Sequence, residues 1–215
     1  MSQQRLTGLY AITQSQPSGF DITLNQVAAA LSGGAKIIQY RDKQPGEERR
    51  QAEAAALCDL CHGQDALLII NDDVALAKRV SADGVHVGRE DSGIVHARQL
   101  LGEQAIIGIS CYNQLPLAIA AEKAGADYVA FGRFYPSATK PDAVQADIAL
   151  LAEAKQRLQI PIVAIGGITP ENGATLVQAG ADMLAVINAL FGSDDIAANC
   201  QRFNQLFDRS EYPPT

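Results

Sequence analysis

The sequence predicts a single-domain (β/α)8 TIM barrel of the α/β class, and three observations point to it. Short β-rich runs alternate with Ala-rich amphipathic stretches along the whole chain, the runs number eight, and a Gly-containing junction recurs before every second one. Strict alternation implies parallel strands joined by helical crossovers. The 215 residues allot about 27 to each strand-and-helix unit, enough for a compact closed barrel. A period of two units fits a sheet that closes with fourfold pseudo-repetition. An open doubly wound sheet is the alternative architecture.

The predicted strands are Gly8 to Thr13, Lys36 to Arg41, Ala66 to Asn71, Gly84 to Gly88, Ala105 to Ser110, Tyr128 to Arg133, Pro161 to Gly166 and Met183 to Asn188. Helical patterns fall between them, among them Thr23 to Leu31, Glu47 to Cys61, Pro116 to Lys123, Ile148 to Leu158 and Glu171 to Gln178. The recurring junctions are Gly33-Gly34-Ala35-Lys36, Ala82-Asp83-Gly84-Val85, Gly125-Ala126-Asp127-Tyr128 and Gly180-Ala181-Asp182-Met183. A Gly just past each helix end is expected to supply a left-handed cap before the chain enters a buried strand. No linker divides residues 1–215, and 210–215, with Pro213-Pro214, read as a frayed tail.

Composition narrows the function. The chain is 47% apolar and 6% aromatic, with a net charge of −7 and an isoelectric point near 4.9. Broad contact with nucleic acid or anionic membrane needs a dense Lys/Arg surface and is not expected, so any phosphate must be held locally. The longest apolar runs, such as Ala66 to Ile70, fall far short of the roughly 20 residues that cross a bilayer. The polar stretch Met1 to Thr7 lacks the features of a secretory signal, and a cytoplasmic address is expected. Cys58, Cys61, Cys111 and Cys200 are read as reduced thiols. The Cys58-x-x-Cys61 pair lies in a helical pattern without a second ligand pair, so the two are helix-face residues rather than a zinc or redox site. Homo-oligomerisation stays open.

In such a barrel the active site forms where strands end, so chemistry is sought there. After the second strand, Gln39, Arg41 and Lys43 alternate and are expected to face one space. The third strand ends in Asn71-Asp72-Asp73, with Asp73 placed to cap the next helix. After the fourth come Arg89-Glu90-Asp91. Carboxylates on neighbouring strand ends, Asp72 and Asp91, suit a hard divalent cation such as Mg2+, and equally an ordinary rim ion-pair cluster with Arg89 or Lys78. His86, inside a strand, reads as a hydrogen-bonded core residue, and His62 and His96 as surface residues. Ser110, with no histidine placed to activate it, suits a positioning hydrogen bond.

The loop after the sixth strand, from Gly132 to about Gln145, is polar and Pro-bracketed; its Ser137, Thr139 and Lys140 offer two hydroxyls and a cation to an anionic ligand. Gly166-Gly167-Ile168 and Ile187-Asn188-Ala189 follow the last two strands, where barrels of this kind bind phosphate through backbone amides. Two anion sites result: a cationic one with Arg41, Lys43, Lys140 and Mg2+, fit for a diphosphate, and a neutral one fit for a monophosphate.

The segments Gln39-Tyr40-Arg41-Asp42-Lys43, Ile70-Asn71-Asp72-Asp73, Gly84-Val85-His86-Val87-Gly88, Ser137-Ala138-Thr139-Lys140-Pro141 and Ile165-Gly166-Gly167-Ile168 occur in this order across the chain. Through them the sequence resembles the thiamine-phosphate synthase (thiamine-phosphate pyrophosphorylase) family over essentially its full length. The resemblance implies a Mg2+-dependent enzyme that joins 4-amino-2-methyl-5-(diphosphooxymethyl)pyrimidine to a thiazole phosphate and releases diphosphate, with CO2 also lost from a carboxylated thiazole. It implies that Gln39, Arg41, Lys43, Asn71, Ser110 and Lys140 bind the pyrimidine diphosphate, with Lys140, Ser110 and Arg41 serving catalysis, and that Asp72 and Asp91 hold Mg2+. It assigns Ser137 and Thr139 to the thiazole substrate, and Gly167, Ile187 and Asn188 to its phosphate. Arg133, where many members have Pro, and Asn188, where many have Ser, depart from the family pattern and bear on the thiazole pocket.

Overall fold

A computed structural model describes residues 6–14, 19–88, 93–136 and 144–208. Eight strands close into a barrel in sequence order: β1 (Gly8–Ile12), β2 (Ile37–Tyr40), β3 (Leu67–Asn71), β4 (Gly84–Val87), β5 (Ile106–Tyr112), β6 (Tyr128–Gly132), β7 (Ile162–Ile165) and β8 (Met183–Val186). Every neighbouring pair is parallel, including β1 with β8. The helices are α1 (Phe20–Ser32), α2 (Glu47–His62), α3 (Val74–Arg79), α4 (Ile94–Leu101), α5 (Leu115–Lys123), α6 (Ala149–Arg157), α7 (Gly173–Gln178), α8 (Asn188–Phe191) and α9 (Ile196–Gln205). Closure rules out the open sheet, and the predicted tail lies outside the described residues.

Alternation along the strands builds two cores. Ile37, Leu67, Ile69, Tyr128, Val163 and Met183 fill the barrel, whereas Ile38, Leu68, Ile70, Val129, Ala164 and Leu184 pack outward against the helices. Both faces are buried, which is why these runs read as continuous apolar stretches instead of polar alternation.

The recurring junction works differently from the simple cap expected. Gly34, Gly125 and Gly180 do take positive φ, but Gly33 is right-handed at −78° and Ser81, not Gly84, is the left-handed residue before β4. Gly84 is small for another reason: a Cβ there would lie 2.0 Å from the Ile106 backbone oxygen of β5. The Asp of the motif ties the barrel floor together. Asp83, Asp127 and Asp182 each accept the first backbone N–H of a strand or one close to it, from Leu68 (2.7 Å), Ile107 (2.8 Å) and Ile162 (2.9 Å). Each carboxylate also meets a helix-borne partner: His62, Arg98 and Lys155 respectively. The junctions before β4, β6 and β8 therefore each clamp two strands and a helix, whereas the one before β2 carries Lys36 in place of the Asp.

All four cysteines are free and buried, Cys58 and Cys61 on the inward face of α2. Burial pushes the Cys58 thiol up to about 11 and those of Cys61, Cys111 and Cys200 to about 12. Removing the Asp127 carboxylate takes the side-chain acceptor from the Ile107 N–H and the counter-charge from Arg98, which keeps its bonds to the Ala105 and Gly125 carbonyls. Asp127→Ala should therefore lower stability by about 1–3 kcal/mol, read as a shifted urea midpoint at unchanged slope. Thiols of the unfolded chain ionise from about pH 9, below the folded values, so their contribution is intact beneath pH 9 and is lost as pH rises toward 12. The urea midpoint should accordingly fall between pH 8 and pH 10, and substituting the buried cysteines by Ala should flatten that fall.

Candidate active site

The carboxyl ends of the strands open onto a cavity of about 430 Å3 inside the barrel mouth. Gln39, Arg41, Asn71, Ser110, Gly167, Ile187 and Asn188 all line it, brought from β2, β3, β5 and the segments after β7 and β8. Lys43 and Asp72 line a neighbouring, more open hollow of about 630 Å3, and Asn71 faces both spaces. Asp91, Ser137, Thr139 and Lys140 lie outside the described residues.

One expectation is corrected here. Gln39, Arg41 and Lys43 do not share a single space, because β2 ends at Tyr40 and strand alternation stops with it. The Arg41 backbone N–H donates to Thr13 Oγ1 at 3.0 Å, setting the exit from the strand. Asp42 then turns back to pair with Arg49 of α2, which also holds Glu53 at 2.8 Å. With Asp42 anchored, Lys43 emerges over the outer hollow, and its Nζ meets Asp72 Oδ2 at 2.5 Å. The Asn71 amide donates to the same oxygen at 2.6 Å. Asp72 takes φ 66°, and its backbone N–H bonds the His86 carbonyl at 2.8 Å. A left-handed non-Gly residue at a strand end is a position held by its surroundings. Asp73 accepts the Leu76 N–H at 2.8 Å and caps α3, as expected.

The neutral side of the cavity is shaped by close approach. The chain leaving β6 runs beside the end of β7, with Phe134 N–H bonding Ile165 O at 3.1 Å and Tyr135 N–H bonding Gly166 O at 3.0 Å. A Cβ on Gly166 would stand 2.3 Å from the Arg133 Cβ, and one on Gly167 2.3 Å from the Pro136 carbonyl oxygen. Both glycines also have positive φ. The Gly-Gly pair thus serves packing as well as ligand access. Arg133 lines the cavity from the other side, and α8 opens with Asn188 at the rim.

Sequence reasoning missed the polar chain that crosses the barrel. Gln39 Nε2 donates to the Tyr10 hydroxyl (2.8 Å), which meets the Tyr128 hydroxyl (2.7 Å), which meets His86 Nδ1 (3.0 Å), while His86 Nε2 meets Ser110 Oγ at 2.9 Å. His86 is the hydrogen-bonded core residue expected, but a histidine does stand beside Ser110, contrary to expectation. Burial pushes both phenols well above their ordinary range, keeping them neutral. A signal existed: a phenol in a strand buried on both faces must find a partner.

The thiamine monophosphate synthase family model matches residues 9–190. The thiamine-phosphate synthase of Nitrosococcus oceani is 53% identical over 97% of this chain and 96% of its own. That of Thioalkalivibrio sulfidiphilus is 49% identical over 95% and 97%. Among solved structures, the thiamine phosphate pyrophosphorylase of Pyrococcus furiosus superposes with a TM-score of 0.84 at 33% identity, over 96% of this chain and 97% of that one. With its closed barrel and a cavity lined from β2, β3, β5 and the last two strand ends, the chain belongs to the thiamine monophosphate synthase family.

Proposed function

We propose that this chain joins the pyrimidine diphosphate to the thiazole phosphate at the cavity in the barrel mouth, releasing diphosphate and forming thiamine phosphate. It is a transferase of thiamine biosynthesis by family, acting on small molecules. The observation that carries the residue-level reading is the convergence of Gln39, Arg41, Asn71 and Ser110 with Gly167, Ile187 and Asn188 on one cavity. No helix among the described residues is long and apolar enough to cross a membrane, in keeping with work in the cytoplasm.

The chemistry asks for a stabilised leaving group and a dry site. The bond from the pyrimidine methylene to diphosphate breaks with its electron pair going to diphosphate, and the ring amino group spreads the positive charge left behind. The thiazole nitrogen then supplies the lone pair of the new bond. Arg41, Lys43 and Lys140 balance the departing charge; each such contact at about 4 Å is worth about 4 kcal/mol before desolvation. Gln39 and Asn71 orient the pyrimidine, while Ser137 and Thr139 meet the thiazole, and Gly167, Ile187 and Asn188 hold its phosphate.

Asp72 supports a Mg2+ site with one hard carboxylate at the barrel rim beside the Asn71 amide, and its partner Lys43 is 60% exposed on a flexible stem, able to exchange the carboxylate for phosphate. Asp72 and Asp91 would hold the ion, which when bound adds positive charge against the diphosphate oxygens.

Purified protein supplied with both substrates and Mg2+ should release diphosphate together with thiamine phosphate, and chelation of the metal should stop both; folded protein that releases none overturns the reading. Arg41→Ala should lower kcat/KM for the pyrimidine diphosphate about 100-fold. Lys140→Ala should lower turnover far more than it weakens thiazole phosphate binding, measured by titration; equal losses would contradict its role at the leaving group.

A further inference from the structure

The His86–Ser110 contact resembles the start of a nucleophilic dyad, and the residues behind it decide whether it is one. In a serine hydrolase a carboxylate accepts from histidine Nδ1–H, which leaves Nε2 as the base that takes the serine proton. Here the group behind Nδ1 is the Tyr128 hydroxyl at 3.0 Å, a phenol that burial keeps protonated. Each proton in the chain can be followed from its far end. Gln39 Nε2 can only donate, so of the two groups on the Tyr10 hydroxyl only Tyr128 can take the Tyr10 proton. The Tyr128 proton in turn goes to His86 Nδ1. That nitrogen is therefore an acceptor, the ring proton sits on Nε2, and Nε2–H donates to Ser110 Oγ at 2.9 Å.

Packing holds this arrangement. Gly108 of β5 pairs with His86 on one side and Tyr128 on the other. A Cβ at Gly108 would fall 1.9 Å from Tyr128 Cζ, so only glycine lets the Tyr128 ring lie across β5. From there the ring stacks on the His86 imidazole with centroids 5.5 Å apart, and meets Tyr10 edge-on at 5.9 Å.

We propose that Tyr128 locks His86 as the Nε2–H tautomer, making His86 a positioning residue that holds Ser110 as a hydrogen-bond donor to substrate rather than as a nucleophile. With its amide nitrogen on Tyr10, Gln39 has its oxygen left as the acceptor it can offer to the cavity it lines. The two ends of the relay thereby present opposite polarity to one ligand: an acceptor from Gln39 and a donor from Ser110. An aminopyrimidine, with an exocyclic N–H beside ring nitrogens, matches that pair. This last step rests on the synthase reading; the tautomer does not.

Ring nitrogens of 15N-labelled protein at neutral pH provide the test, with His86 assigned among three histidines by its loss in His86→Gln. The expected result is a single Nε2–H tautomer at His86. An Nδ1–H signal, or a mixture, in the native protein overturns the inference without recourse to any variant. Tyr128→Phe should abolish the tautomer preference and raise KM for the pyrimidine diphosphate about tenfold, with KM for the thiazole phosphate unchanged. His86→Gln, which keeps a donor, should retain more pyrimidine affinity than His86→Leu. An unchanged pyrimidine KM in Tyr128→Phe, or an equal rise in both KM values, also overturns it. The Nε2–H tautomer in a protein that releases no diphosphate would uphold the lock and overturn the synthase reading instead.

Discussion

The polar chain from Gln39 to Ser110 constrains the barrel more tightly than any single apolar contact. Its five side chains come from β2, β1, β6, β4 and β5, and they meet in an interior otherwise filled by Ile, Leu, Val, Ala and Met. Side chains alternate between faces, so a one-residue slip of any of these strands would send its member to the helix side and leave buried partners without hydrogen bonds. Apolar residues on both faces tolerate such a slip far better. The relay therefore fixes register as well as the polarity of the groups that face the ligand.

Around this fixed centre the barrel is divided by end. At the amino ends of the strands, Asp83, Asp127 and Asp182 bind strand N–H groups and helix-borne partners. At the carboxyl ends, comparable charges stand at the rim: Lys43 on Asp72, and Arg41 and Arg133 on the cavity wall. The first set ties strands to helices, and the second faces the cavity and the hollow beside it, although both consist of ordinary acid and base side chains. A chain with net charge −7 can thus hold anionic substrates, because charge acts over roughly a Debye length of about 8 Å and not across the whole molecule.

Much of the site could be read along the chain because strand ends are local features. Asn71 and Asp72 close an apolar run, and Gly166-Gly167 close another, so their place at the mouth followed from where the hydrophobic pattern stops. Lys43 did not follow, since its direction depends on Asp42 being drawn back by Arg49. Tyr10 and Tyr128 were hidden for a related reason: each looks like one more apolar residue of a buried strand until its hydroxyl partner, more than a hundred residues away, is known.

Periodicity and junction spacing alone determined eight strands alternating with helices, and hence parallel pairing, because each rests on contacts within a few residues; their order around a closed barrel was decided only by the tertiary structure. Only the folded barrel decided that Ser110 has a histidine beside it, that a phenol stands behind that histidine, and which cations share a cavity. Those outcomes depend on distances between residues far apart in sequence, and barrel closure sets them all at once.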